Sequence, residues 1–223
     1  MTNQTERSAR DGQRQHWEGM LKTKPEMFGS DPSEPARWSA AEFKAAGVHH
    51  ILELGGGQGR DSLFFAAAGC SVHVLDYAQP GIDTILRKAA QAGFGDRITG
   101  AQHDVRRALP VPDGSFDACY SHMLFCMAFS LAELEALSGE ILRVLRPGGL
   151  CVYTVRNTSD ADFGHGLHRG EDLYENQGFI VQFFDRQKIQ RLAKGYAILG
   201  IEGFEEGKLP RRLFRVTLQK PLQ

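Results

Sequence analysis

Residues 51–60 read ILELGGGQGR. Ile51 to Leu54 is a buried strand, Gly55 to Gly59 a loop, and Arg60 to Ala68 a helix that Gly69 stops. A glycine-rich turn between a strand and a helix lets backbone approach a ligand: Gly55 and Gly57 have no side chain to hold it off, and Gly59 opens the helix. A GxGxxG dinucleotide fingerprint needs glycine where Arg60 stands. The spacing is instead GxGxG with an acid, Glu53, two places before it. A tight turn of purely structural use is the competing reading.

Outward from this turn, short β-rich runs alternate with helical patterns, the signature of a doubly wound α/β sheet. Ser71 to Leu75 is the second strand, ending at Asp76, and Pro80 opens a helix with Ile82, Ile85, Leu86 and Ala89 on one face and Gly93 at its end. Ile98 to His103 is the third strand, closing on Asp104. Phe116 to Ser121 is the fourth, followed by a helix over Leu131 to Leu145 that Pro147, Gly148 and Gly149 break. Leu150 to Val155 makes the fifth. Asp185 to Lys194 reads as helix, and Tyr196 to Phe204 with Leu213 to Leu218 as a final antiparallel pair around Pro210, seven strands in all.

The rest of the chain sets bounds. Its 223 residues are 42% hydrophobic, enough for one core without disulfides or a structural metal. The formal net charge of -1 gives no overall positive field for nucleic acid or anionic lipid. Cys70, Cys119, Cys126 and Cys151 form no CxxC pair and lie in apolar stretches, as free thiols in a reducing compartment do. Met1 to Met20 is mixed in charge without an apolar centre, so it is not read as a signal peptide, and no apolar run approaches the roughly 18 residues of a membrane span. A cytoplasmic protein, monomer or homodimer, with neither nucleic acid nor membrane as partner, is the expectation.

Asp76 stands 19 residues beyond Gly57, the place for a carboxylate that accepts both hydroxyls of a ribose. This alone does not separate adenosine-bearing cofactors, and an aspartate capping the helix at Pro80 is the plainer alternative. Asp104, at the equivalent end of strand three, is placed to accept from an exocyclic amine such as adenine N6, or else to form a turn before Val105.

Taken together, ILELGGGQG (51–59), LDY (75–77), HDV (103–105), LPVPDGSFDACYS (109–121) and LRPGG (145–149) resemble, in order and spacing, the motifs of the class I S-adenosylmethionine-dependent methyltransferases. ELGGGQGRDSLFFAAAG is similar to small-molecule members of the tellurite-resistance, thiopurine or type 11 kind. The resemblance implies a Rossmann-like seven-stranded sheet in the order 3-2-1-4-5-7-6, with S-adenosyl-L-methionine as cofactor. It implies that Glu53, Gly55, Gly56 and Gly57 line the methionine moiety, that Asp76 and Tyr77 lie at the ribose and Asp104 and Val105 at the adenine, and that Ser121 and His122 stand nearest the methyl group. The family's proline-proline-aromatic run for base amines is absent; Ser121-His122-Met123 stands there instead.

Methyl transfer asks for in-line alignment and exclusion of water, and a neutral acceptor also needs a base. His122 is the candidate base, with a packed ring or a cofactor contact as the alternative. Arg156 to Gln177 reads as a long polar loop beside the site, with Arg156, Asn157, His165 and His168 as substrate contacts and Gly164, Gly166 and Gly170 as hinges. The His165/His168 pair is too loosely spaced to be read as a metal site. Phe179 to Phe184 is a strand or pocket wall, with core packing the better reading for most of it. The N-terminal segment, residues 1–40, carries Trp17, Phe28 and Trp38 as a lid over the cofactor or as packing outside the sheet, with a short helix capped by Ser33 and little order before Gln15; residues 41–223 are the catalytic domain. The rival functions are a nicotinamide dehydrogenase, which Arg60 opposes, and a binding protein that keeps the cofactor site without transfer.

Overall fold

The computed structural model describes residues 2–24, 26–207 and 211–222, with side chains from residue 12 onward. In chain order its elements are α1 (Thr2–Thr23), α2 (Glu34–Ala45), β1 (His50–Leu54), α3 (Arg60–Ala67), β2 (Ser71–Asp76), α4 (Gln79–Gln91), β3 (Ile98–Gln102), β4 (Phe116–His122), α5 (Leu131–Val144), β5 (Leu145–Arg156), β6 (Leu167–His168), β7 (Leu173–Asn176), β8 (Phe179–Gln182), α6 (Arg186–Leu192), β9 (Ala197–Glu206) and β10 (Arg211–Gln219). Seven strands form one sheet in the order β3-β2-β1-β4-β5-β10-β9. β1 to β5 are parallel, and β10 runs antiparallel to β5 and β9. This is the order the family resemblance implies. The turn expected around Pro210 lies outside the described residues.

Strand periodicity divides the core into two layers. Ile51, Val72, Val74, Ala118, Tyr120 and Val152 face α2, α3 and α4, where Phe43, Phe65, Ile82, Ile85 and Ala89 are buried. Leu52, Leu54, Cys119, Cys151, Tyr153 and Val155 face α5 and α6, whose Leu134, Leu137, Ile141 and Ile189 are fully covered. Leu86, expected on the buried face of α4, is 37% exposed. The four cysteines are buried free thiols. No helix among the described residues is long and apolar enough to cross a membrane.

Local chemistry explains the helix starts. Ser130 and Glu133 close a capping box on α5, and Asp185 caps α6 by accepting from Lys188 N–H. Ser33 caps α2, and its backbone N–H and hydroxyl both donate to Asp61 of α3 at 2.8 Å. Ala36 and Phe43 of α2 lie in the core cluster of α3, so this helix crosses the division expected at residue 40 and belongs to the folded layer. Where little order was expected before Gln15, the backbone runs in α1 from Thr2. Pro147 to Gly149 do not end the helix in a loop. They lie inside β5 as a bulge, with Leu145 pairing Phe116 before the register shifts to Leu150 and Ala118.

The largest departure from the sequence reading is the span after β5. Instead of a long structureless loop it contains β6, β7 and β8, paired antiparallel in that order. The β7–β8 hairpin turns on Gln177 (φ 51°) and Gly178 (φ 82°), the left-handed pair a two-residue hairpin requires. Gly166 is held against the Glu175 carbonyl, where a Cβ would come within 2.3 Å. It is a packing position rather than a hinge.

Candidate active site

The carboxyl ends of β1, β2, β4, β5 and β9 open on one cavity of about 830 Å³, within the range of small-molecule sites. Glu53, Gly55, Gly56, Gly57, Asp76, Tyr77, His122, Arg156 and His165 from the sequence reading line it together. Gly55 (φ 74°) and Gly57 (φ 58°) adopt the left-handed conformation that keeps the turn's backbone bare. The turn is fixed from below: Asp76 Oδ2 accepts Gly57 N–H at 3.0 Å, and Oδ1 accepts Ala78 N–H at 2.9 Å. The carboxylate thus holds Ala78, the residue before α4, without capping the helix, and it lines the cavity. Burial pushes it up to about 6, against these two backbone donors.

Glu53 is fully buried and accepts from the Ser62 hydroxyl. Burial, reinforced by Asp61 and Asp76 and partly offset by Ser62 and Arg60, pushes it from 4.5 up to about 8. A carboxyl raised in the folded state keeps a proton that the unfolded chain releases. Its contribution to stability therefore falls as pH rises from about 4.5 to about 8 and is level beyond. Glu53→Gln removes this loss: its Tm in scanning calorimetry is expected several degrees above wild type at pH above about 8, the two curves converging near pH 4.5. Equal Tm values at alkaline pH contradict the assignment.

His122, at the end of β4, has both ring nitrogens engaged. Nδ1 lies 2.8 Å from Thr154 Oγ1 on the paired residue of β5, and Nε2 lies 3.4 Å from Glu206 Oε1. The N-terminal segment roofs the glycine turn. Gln58 accepts from Met27 N–H and donates to the Lys24 carbonyl, Arg60 donates to the Phe28 carbonyl, and the Phe28 ring lies 3.4 Å from where a Gly57 Cβ would stand. Trp17 meets Phe179 edge-on at 5.4 Å, and Gln13 of α1 bonds the Gly178 carbonyl and Ile180 N–H of the hairpin. Trp17 and Phe28 thus cover the cavity, whereas Trp38 packs under Arg215 outside it at 3.9 Å, so the two readings of these aromatics divide between them.

Five predicted site residues stand off the cavity lining, each for a local reason. Asp104 is held by Arg106, whose guanidinium donates to both carboxylate oxygens at 2.6–3.1 Å; burial raises this carboxyl, and Arg106 brings it below its ordinary value. Val105 is packed in the α5-side core. Ser121 donates to the Leu54 carbonyl at 3.0 Å and so locks β4 to β1. Asn157 Oδ1 accepts from Ser159 N–H and hydroxyl, closing a turn. His168 lies exposed on β6, its Nε2 2.8 Å from the Glu171 carbonyl. Arg156 lines the cavity but is paired with Asp160 and Asp162. Among the described residues no group of three or more His, Cys, Asp and Glu forms a metal site.

Several cavity residues escape sequence reasoning, notably Met123, Met127, Tyr174 and Glu206. Tyr174 belongs to β7, whose hairpin was signalled by Gln177-Gly178 between two β-rich runs; Glu206 carries no motif.

A parallel sheet whose central strands end in a glycine turn and an acid, both facing a covered cavity, defines a Rossmann-like protein that receives a small ligand at its switch point. Residues 51–149 match the methyltransferase-domain family. The chain is 37% identical over 131 residues to a demethylmenaquinone methyltransferase of Thermus thermophilus, covering 56% of this chain and 54% of that protein. It spans about half the length of the curated relatives it matches. Its fold is that of the Burkholderia thailandensis 1,6-didemethyltoxoflavin-N1-methyltransferase, solved with 1,6-didemethyltoxoflavin and S-adenosylhomocysteine (TM-score 0.75, 17% identity, 95% of this chain and 88% of that one). The N-methyltransferase NodS of Bradyrhizobium japonicum shares it (TM-score 0.69, 14% identity, 93% and 97%). Over residues 51–149 the chain is thus similar to the methyltransferase-domain family, and its fold is the one shared by these S-adenosylhomocysteine-bound methyltransferases.

Proposed function

We propose that this protein transfers the methyl group of S-adenosyl-L-methionine to a small, largely apolar acceptor. The observation that carries the reading is the bare Gly55 to Gly57 turn, pinned by Asp76 at the mouth of a cavity that Trp17 and Phe28 cover. The chain's residues suit that cofactor: Asp76 retains carboxylate lone pairs for two ribose hydroxyls, and Glu53 is a buried acid lining the cavity, suited to an ammonium. Gly55, Gly56 and Gly57 provide backbone along the chain between them, and Tyr77 borders the ribose end. When bound, the cofactor supplies a methyl group already electrophilic on its sulfonium, so the chain's work is to orient the acceptor, exclude water and receive any proton.

The apolar walls favour a small-molecule acceptor, and near-neutral charge disfavours nucleic acid. A cytoplasmic monomer or homodimer belongs to the same reading. Isothermal titration with S-adenosylhomocysteine and with NADH tests it. Micromolar binding of the first and none of the second is expected, and the reverse overturns the proposal in favour of a dehydrogenase.

A further inference from the structure

Glu206 is a titratable group of the cavity that lies outside the motifs and the family match. It ends β9, the edge strand, and β9 runs parallel to β5, so its carboxylate arrives at the same sheet edge as His122. Both side chains are partly exposed, 13% for His122 and 23% for Glu206, and both line the cavity.

The hydrogen-bond network assigns the proton on the ring. Thr154 Oγ1 already accepts Met123 N–H at 3.0 Å, a bond set up by Met123's left-handed backbone (φ 65°). Among the described residues the wholly buried Thr154 hydroxyl has no other partner for its hydrogen, so Nδ1, 2.8 Å away, is taken as the acceptor. This leaves the imidazole hydrogen on Nε2, the nitrogen that lies 3.4 Å from Glu206 Oε1. A ring so engaged has no lone pair to offer a substrate. The carboxylate it holds does, and Glu206 Oε2 has no hydrogen bond among the described residues.

We infer that Glu206 is the group that takes the acceptor's proton, that His122 is its positioning residue, and that the acceptor is a neutral hydroxyl or amine on a flat apolar molecule. This rests on the methyl-transfer reading above. In the step, the nucleophile's lone pair forms the bond to the methyl carbon, the carbon–sulfur pair leaves with sulfur as a neutral thioether, and the O–H or N–H proton passes to Glu206, giving a neutral carboxylic acid. Proton return to water regenerates the carboxylate after product release.

Charge selects the acceptor class. Burial raises Glu206, but the neighbouring His122 and the charges of Arg60 and Arg211 bring it below its ordinary value, so at neutral pH it is an anion. An anion at the methyl end repels a thiolate or metalloid anion and favours a neutral nucleophile that can donate to it. Trp17, Tyr174, Phe179, Phe183, Met123 and Met127 supply the flat apolar walls.

The test uses the full chain with S-adenosylmethionine and three probes on one ring system, naphthol, naphthylamine and naphthalenethiol. The expected result is turnover of naphthol or naphthylamine, with kcat about 100-fold lower in Glu206→Gln and partly recovered in Glu206→Asp, while S-adenosylhomocysteine binds both variants within about threefold of wild type. In nitrogen NMR, His122 is expected to carry its hydrogen on Nε2, a preference that Thr154→Val weakens. Undiminished kcat in Glu206→Gln, turnover of the thiol alone or of none of the probes, or a hydrogen on Nδ1 overturns the inference. Failure of wild type to bind S-adenosylhomocysteine overturns the methyl-transfer reading instead.

Discussion

Gly81→Ala is expected to destabilise the protein by about 2 kcal/mol and to lower its Tm by several degrees, although alanine is the better helix former by about 1 kcal/mol. Gly81 lies buried in the first turn of α4, and a Cβ there would stand 2.5 Å from the Gly57 carbonyl oxygen. That neighbour is backbone of the glycine turn and cannot rotate away. Relief requires α4 to retreat from the turn, which also stretches the Asp76 bonds to Gly57 and Ala78. Affinity for S-adenosylhomocysteine is therefore expected to fall with stability. Gly139→Ala is the control: it lies exposed in the interior of α5 with nothing within 4 Å of its Cβ position, so it is expected to stabilise by about 0.5–1 kcal/mol. Chemical denaturation of the two variants decides the matter, and a stabilised Gly81→Ala contradicts the packing described.

For Asp76→Asn, affinity for S-adenosylhomocysteine is expected to drop about 100-fold or more. Hydrogen bonds to a charged acceptor contribute about 1.5–3 kcal/mol each, and two ribose hydroxyls lose theirs at about 1.4 kcal/mol per tenfold. The amide also turns an NH2 toward one of the two backbone donors that the carboxylate satisfies, Gly57 N–H or Ala78 N–H. A pH signature accompanies the loss. Because Asp76 lies at about 6 in the free protein and binds as the anion, wild-type affinity is expected to weaken by about tenfold per pH unit below about 6, a dependence absent in the variant. Glu53 is present in both proteins and cancels in the comparison. Titration calorimetry at several pH values measures both effects, and a variant that binds within about threefold of wild type removes Asp76 from the ribose.

Much of this architecture was legible because it is written in local patterns. The apolar runs of β1 and β2, the glycine stop after α3, Ser33 as a cap, the helix from Asp185, and the 3.6-residue spacing of Leu134, Leu137 and Ile141 each report neighbours close in sequence. The small sheet was missed because RNTSDADFGHG preceding it is polar, and because β6 is two residues long. Asp104 shows the opposite failure. Its place at the end of β3 was read correctly, yet Arg106, two residues on, takes both of its carboxylate oxygens.

Sequence alone determined the sheet's parallel half, the glycine turn and the acids Glu53 and Asp76, because a strand, a turn and a helix start depend on residues a few positions apart. Tertiary structure decided which side chains share the cavity. It brought Glu206 from the last 20 residues to His122, set Phe179 against Trp17 across 162 positions, and put a helical glycine against a carbonyl of the glycine turn. Such meetings depend on the sheet's strand order and on the antiparallel return of β10, and no spacing within the chain encodes them.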